Sequence, residues 1–210
     1  MPASTDFQIG STLLQPVYGD ITELKADALV QPAGTSPGSE SFHFQASPWV
    51  ISADTDGAIR ASLARQAPLQ IGQVLVTSAG ALPARYLLHA VVVNWSHFAQ
   101  TRRQAAYAEA HTMQQEEEST LDDWVNDAVI DAAARQCIRI ASALDLRSIA
   151  FTPWGTNVGA KEVSYATAIM LQAIVAQLQQ EATSLETVYL ISNNTDHYSS
   201  FEARAFVFGL

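Results

Sequence analysis

Two short segments hold residue types that can grip a small anionic ligand. Gly155-Thr156-Asn157-Val158-Gly159 follows the apolar run Ser148–Phe151 and precedes a long helical pattern. Main-chain N–H groups in such a turn can point at an anion, and the start of the next helix adds partial positive charge. Glycine permits close approach and positive φ, and asparagine is among the few other residues that tolerate left-handed backbone. No Gly-Lys-Ser/Thr closes the segment, so it is not a Walker loop. A strand-to-helix turn also needs glycine for its geometry, and that structural role stands beside the functional one. The second segment is Gly19-Asp20-Ile21-Thr22. A carboxylate exposed after a strand can accept a hydrogen bond from an exocyclic amine such as that of adenine. The same carboxylate can cap a following helix.

Other reactive residue types point to less. The single cysteine, Cys137, excludes an intrachain disulfide. It sits in the helical stretch Ala132–Leu144 and reads as a small buried hydrophobe, not a nucleophile. His43, His97, His111 and His197 show no metal-ligand spacing, so no metal is expected. No Cys–His or Ser–His–Asp arrangement is visible in the sequence.

The elements that must position the two segments alternate in type. Phe7–Ile9 and Thr12–Val17 read as strands, with Gly19-Asp20 as a turn into a short helix. Ala28–Val30 is a short apolar strand, and residues 31–55, rich in Gly, Pro and Ser, read as a long loop. Asp56–Gln66 has helical character; Val74–Thr77 and Tyr86–Val93 are strands, the second apolar enough to be covered on both faces. Thr101–Met113 is expected to be helical, and Glu116–Asp123 is an acidic, solvated stretch. Asp127–Leu144 is an amphipathic helix burying Ile130, Ala133, Cys137, Ala141 and Leu144. Ser148–Phe151 is a strand. The helix from Lys161 to Gln180 buries Val163, Ala166, Met170, Ala173, Ile174 and Leu178. Val188–Ile191 is a last central strand, and Phe201–Phe206 is helix or strand. Strands alternating with helices imply a single α/β domain over residues 1–210 with a largely parallel sheet. In such sheets ligands sit beyond the carboxyl ends of the strands.

Composition sets outer bounds. The chain has 210 residues, 48% hydrophobic and 15% charged, which suits one packed domain. A net charge of −10 repels phosphate backbones and anionic lipid, so bulk nucleic acid is excluded as a partner. A small anion can still bind where local dipoles outweigh a field screened over roughly 8–10 Å. No run of about eighteen apolar residues exists to span a membrane. Met1–Asp6 lacks the features of a signal peptide, which makes a cytoplasmic setting the expectation.

In order and spacing, several blocks together resemble the macro domain family. They are Gly19-Asp20-Ile21-Thr22 with Ala26-Asp27-Ala28-Leu29-Val30, then Asp56-Gly57-Ala58-Ile59. Ile71-Gly72-Gln73-Val74 follows, leading to Thr77-Ser78-Ala79-Gly80 and to Leu82-Pro83-Ala84-Arg85-Tyr86-Leu87-Leu88-His89-Ala90. Ser148-Ile149-Ala150-Phe151 with Gly155–Gly159 closes the set. The resemblance implies a three-layer α/β/α fold with a mixed, largely parallel central sheet and a cleft for ADP-ribose, with no cofactor required. It implies that Asp20 binds the adenine amine and that the backbone at Ile21 touches the base. It implies that Gly155, Thr156, Asn157, Val158 and Gly159 wrap the diphosphate and distal ribose. His89 matches a family histidine in a central strand and reads as a hydrogen-bonded core residue.

The chain also departs from that pattern. Where the family reads Val-Asn-Ala-Ala-Asn, this sequence has Val30-Gln31-Pro32-Ala33-Gly34, so Gly34 brings no side chain to the distal ribose. Where the family has a run of glycines, it has Ser52-Ala53-Asp54. Asp54 could set a negative charge against a phosphate. Two unit charges 4 Å apart cost about 4 kcal/mol at an effective dielectric of 20. Asp54 could equally face solvent or cap the next helix. Asn157 stands in place of a family glycine. Asn193 and Asn194 occupy the neighbourhood where an aromatic residue often stacks on adenine, with Tyr198 close in sequence. The leading expectation is a binding module for ADP-ribose or a related adenine nucleotide, free or attached to a macromolecule. The alternatives are a hydrolase of ADP-ribosyl, ADP-ribose ester or ADP-ribose phosphate bonds, and a degenerate macro fold kept for protein contacts.

Overall fold

The computed structural model describes residues 6–35, 53–54, 56–66, 69–94, 126–154 and 163–208. Seven strands form one sheet: β1 (Phe7–Ile9), β2 (Thr12–Tyr18), β3 (Ala28–Thr35), β4 (Val74–Ser78), β5 (Tyr86–Asn94), β6 (Ser148–Phe151) and β7 (Thr187–Ser192). Their spatial order is β1-β2-β7-β6-β3-β5-β4. The inner strands β2, β7, β6, β3 and β5 run parallel, and the edge strands β1 and β4 are antiparallel to their neighbours. Four helices are described: α1 (Ala58–Arg65), α2 (Asp127–Ala143), α3 (Val163–Gln180) and α4 (Thr195–Phe208).

Apolar residues fix the layering. Ala28, Leu29 and Val30 of β3 and Leu87, Leu88 and Ala90 of β5 are fully buried, because both faces of the sheet are covered. One face gathers Val30, Leu88 and Phe151 with Ile130, Cys137 and Ala141 of α2, Ala166, Met170 and Ile174 of α3, and Phe201 of α4. The other gathers Leu29, Leu87 and Leu75 with Ile59 and Leu63 of α1 and with Ile21. The result is the three-layer α/β/α arrangement with a mixed sheet. Asn126 starts α2: its side chain accepts the Ala128 N–H at 2.8 Å.

Asp27 clasps the amino ends of the parallel strands. Its Oδ2 accepts the N–H groups of Arg147 at 2.8 Å and Ser148 at 3.0 Å. Its own N–H donates to Ser148 Oγ at 2.9 Å. Its carbonyl accepts from Arg85 and Tyr86. One residue thus ties together the starts of β3, β5 and β6 at the amino edge of the sheet.

Four sequence expectations need revision. First, β3 does not stop at Val30 but runs to Thr35, with a bulge between Ala33 and Gly34. Its pairing with β6 ends at Val30, so beyond it that side of β3 is an edge, where Pro32 without an N–H is tolerated. Second, the chain after Asp20 forms turns, not a helix: Glu23 N–H bonds Asp20 O and Leu24 N–H bonds Ile21 O. Third, Leu144 lies beyond the end of α2 and is 37% exposed. Fourth, the undecided C-terminal stretch is helical, as α4. The expected helix at 101–113, the acidic stretch 116–123 and the segment 36–52 lie outside the described residues.

Candidate functional site

The carboxyl edge of the sheet begins where β2 and β7 end. The Gly19 N–H donates to Ser192 O at 3.1 Å, holding the two strand ends together. Asp20 follows and is exposed, whereas Ile21 is 6% exposed and anchors the turn in the core beneath. Asp20 Oδ1 accepts both the Thr22 N–H and the Thr22 hydroxyl, each at 2.8 Å. Thr22, through its N–H first and its hydroxyl second, holds the Asp20 carboxyl below the usual aspartate range. Asp20 is therefore ionised at neutral and mildly acidic pH. Among the described residues nothing donates to its Oδ2, and nothing accepts from the Ile21 N–H. One free acceptor and one free donor stand side by side.

An aromatic pair flanks them. Tyr18, the last residue of β2, is 59% exposed and meets Tyr198 of α4 edge to face, with ring centroids 5.8 Å apart at 83°. The Tyr198 hydroxyl donates to Glu202 Oε1 at 2.7 Å, which fixes the ring. Asn194 is spent elsewhere: its Oδ1 accepts the Asp196 N–H at 2.9 Å and the His197 N–H at 3.1 Å, capping α4. Asn followed by Thr-Asp is a helix-start pattern that could have disclosed this role.

Gly34 lies at the same carboxyl edge, near the end of β3, and is buried beside the bulge. Three strand steps, β2 to β7 to β6 to β3, separate it from the Asp20 side, roughly 14 Å at the usual strand spacing of about 4.8 Å. Below it a polar row crosses the sheet. Gln31 Nε2 lies 2.6 Å from His89 Nδ1, and His89 Nε2 lies 2.8 Å from Thr77 Oγ1. Thr77 donates its hydroxyl proton to Ser78 O at 2.9 Å, so it accepts from His89 Nε2–H, and Nδ1 accepts from Gln31. Burial pushes the His89 imidazole down to about 3, so it is neutral. Gln31 and His89 form a buried structural pair.

Asp54 is placed away from this edge, which corrects its reading as a charge against a phosphate. The Ala81 N–H donates to Ala53 O at 3.1 Å. A Cβ on Gly80, whose φ is +59°, would lie 2.3 Å from that same oxygen. The Ala53–Asp54 segment is thus bound to the β4–β5 turn, at the amino ends of the parallel strands. The carboxylate serves α1: Oδ1 accepts the Ile59 N–H at 2.8 Å, and Oδ2 accepts the Arg60 N–H at 3.2 Å and pairs with Arg60 Nε at 2.8 Å. Capping, the alternative role read from sequence, is where the charge goes.

Gly155, Thr156, Asn157, Val158 and Gly159 lie outside the described residues. The chain leading to them is rooted in the core: Trp154 is fully buried against Phe151, with ring centroids 6.1 Å apart. Among the described residues its indole N–H has no hydrogen-bond partner. Among the described residues no three His, Cys, Asp or Glu side chains gather as a metal site. Cys137 is fully buried, and burial pushes its thiol up, away from reactivity.

The family model of the macro domain matches residues 52–170, more than half of the chain. This chain belongs to the macro domain family. O-acetyl-ADP-ribose deacetylase 1 of Pantoea vagans is 25% identical to it over 189 residues, covering 88% of this chain and 94% of that protein. A macro domain-containing protein of Cupriavidus necator is 26% identical over 191 residues, covering 91% of this chain and 96% of that protein, whereas the match to an uncharacterized protein of Sulfolobus acidocaldarius is local, 36% identical over 77 residues and 40% of its length. Among solved structures, a variant macrodomain of Oceanobacillus iheyensis superimposes with a TM-score of 0.69 at 22% identity, covering 98% of this chain and 97% of the other. The Oceanobacillus iheyensis macrodomain with ADP gives 0.63 at 23% identity, covering 98% and 96%. These likenesses establish a macro domain fold, and none of the described helices is long and apolar enough to cross a membrane.

Proposed function

We propose that this macro domain binds ADP-ribose or a related adenine nucleotide, free or carried on a macromolecule, along the carboxyl edge of the sheet from Asp20 to Gly34. The observation that carries the reading is the pair of unused groups at the end of β2. Asp20 Oδ2 accepts and the Ile21 N–H donates. Adenine presents the complement on one edge, an amine donor beside a ring-nitrogen acceptor. The Tyr18 and Tyr198 rings supply an aromatic wall next to them. The span of roughly 14 Å to Gly34 suits a base joined through a diphosphate to a second ribose, not a base alone. Withdrawal of the Asp54 charge to α1 removes the repulsion that its sequence position suggested. The structural relative with ADP supports the same ligand class. The phosphates fall to the segment 155–159, and a cytoplasmic setting remains part of the proposal.

A thermal-shift panel tests this. ADP-ribose at 100 times its Kd should add about 2.7 kcal/mol of stability and raise the melting temperature measurably. ADP should do so less, and ribose 5-phosphate should not. A flat response to every adenine nucleotide at millimolar concentration rejects the proposal.

A hydrolytic activity is the second reading, favoured by the Pantoea vagans deacetylase, whose match covers most of both chains. The described residues argue for binding first: His89 is buried and neutral, and Cys137 is inert. Incubation with O-acetyl-ADP-ribose and with an ADP-ribosylated protein decides. Release no faster than the blank at high protein concentration removes this reading.

A further inference from the structure

Asp20 Oδ1 takes two hydrogen bonds from one neighbour, the N–H and the hydroxyl of Thr22, each at 2.8 Å. A carboxylate oxygen has about two lone-pair sites, so this oxygen is saturated. The turn that holds Thr22 is itself closed by Glu23 N–H to Asp20 O at 3.1 Å and Leu24 N–H to Ile21 O at 3.3 Å. Buried Ile21 roots it in the core. The carboxylate plane is therefore set by the protein, not by the ligand.

We propose that Thr22 is a positioning residue that sets base choice. Its hydroxyl locks the Asp20 carboxylate so that only Oδ2, in one orientation, meets the base, and this selects a 6-amino purine over a 6-oxo purine. The inference rests on the reading of Asp20 and Ile21 as the base-facing pair. With the carboxylate fixed, a 6-amino group donates to Oδ2 while the ring N1 accepts from the Ile21 N–H. A 6-oxo purine reverses both signs: its carbonyl oxygen faces Oδ2, and its N1–H faces the Ile21 N–H. Two mismatches replace two hydrogen bonds, the situation in which polar sites discriminate. A carboxylate free to turn would escape by swinging an oxygen to the N1–H. Thr22 removes that escape.

The test is calorimetry on the full chain with ADP-ribose and with its hypoxanthine counterpart, using Thr22→Val, Thr22→Ser and Thr22→Ala. The native protein should prefer ADP-ribose by about a hundredfold or more. Thr22→Val, the isosteric variant without the hydroxyl, should cut that ratio by about tenfold or more, with only a several-fold loss of ADP-ribose affinity. Thr22→Ser should restore the ratio. Thr22→Ala gives the same readout if the valine variant does not fold. An unchanged ratio in folded hydroxyl-free variants, or an equal loss on both ligands, overturns the role of Thr22 while leaving the nucleotide reading standing. A native protein that binds neither ligand overturns both.

Discussion

Asp20 and Asp27 stand seven residues apart in sequence, at opposite ends of the parallel strands, and differ in where the donors to them come from. Asp27 gives its Oδ2 to the N–H groups of Arg147 and Ser148 and its carbonyl to Arg85 and Tyr86. Asp20 also uses one carboxylate oxygen, but both donors come from Thr22, two residues on. Asp27 therefore ties separate strands together at the amino edge, whereas Asp20, at the carboxyl edge, is tied only within its own turn. The same residue type is a cross-strand clasp at one edge and the base-facing group of the proposal at the other, because backbone donors of other strands converge on the first and only the Thr22 N–H reaches the second.

Substitutions can break or sharpen that contrast. Asp27→Ala should have the largest effect on folding. It strands the half-buried Ser148 amide, at about 1–3 kcal/mol, while the exposed Arg147 amide turns to water. A melting temperature lower by about 5–10 °C is expected, with nucleotide affinity changed little in the protein that remains folded. Asp54→Ala should come next, costing about 1–2 kcal/mol through the lost cap on α1. Burial pushes the Asp54 carboxyl up, but the Arg60 hydrogen bond, the Ile59 and Arg60 N–H groups and the Arg60 charge outweigh it and hold it below the usual value. A depressed folded pKa contributes stability that is present above the unfolded aspartate value and is lost as pH falls through the folded one. Asp54→Asn should accordingly flatten part of the acid limb of stability in melts taken from neutral pH downward. Asn194→Ala should be smaller again, about 1 kcal/mol through the α4 cap, with nucleotide affinity within about twofold of native. A large loss of affinity there would move the base site toward the end of β7.

Much of this was legible in the sequence where periodicity and burial agree. Ser148–Phe151 and Asp127–Leu144 read as a central strand and an amphipathic helix, because nothing competes with their apolar patterns. β3 was harder. Gln31, Pro32 and Gly34 look like loop residues, yet pairing with β5 carries the strand past them, and loss of the β6 partner makes room for the proline. Asp54 was misleading for a different reason. Sequence order set it against the family's glycine run, but only contacts with residues 80 and 81, far along the chain, show which edge it occupies. Sequence singled out Asp20 and Ile21, but not the role of Thr22. That role depends on side-chain geometry within a four-residue turn, which residue type alone does not specify.

Asp20→Ala should cost little in folding, about 1 kcal/mol or less through the lost Thr22 hydrogen bonds of an exposed turn, and should act mainly on the ligand. Titration of ADP-ribose into the native and Asp20→Ala proteins is therefore the most direct measurement. Saturable binding that weakens by about tenfold or more in the variant, with a melting temperature lowered by only a few degrees, is the predicted result. Equal affinity in the two folded proteins would contradict the assignment of the free oxygen at the end of β2 to the base.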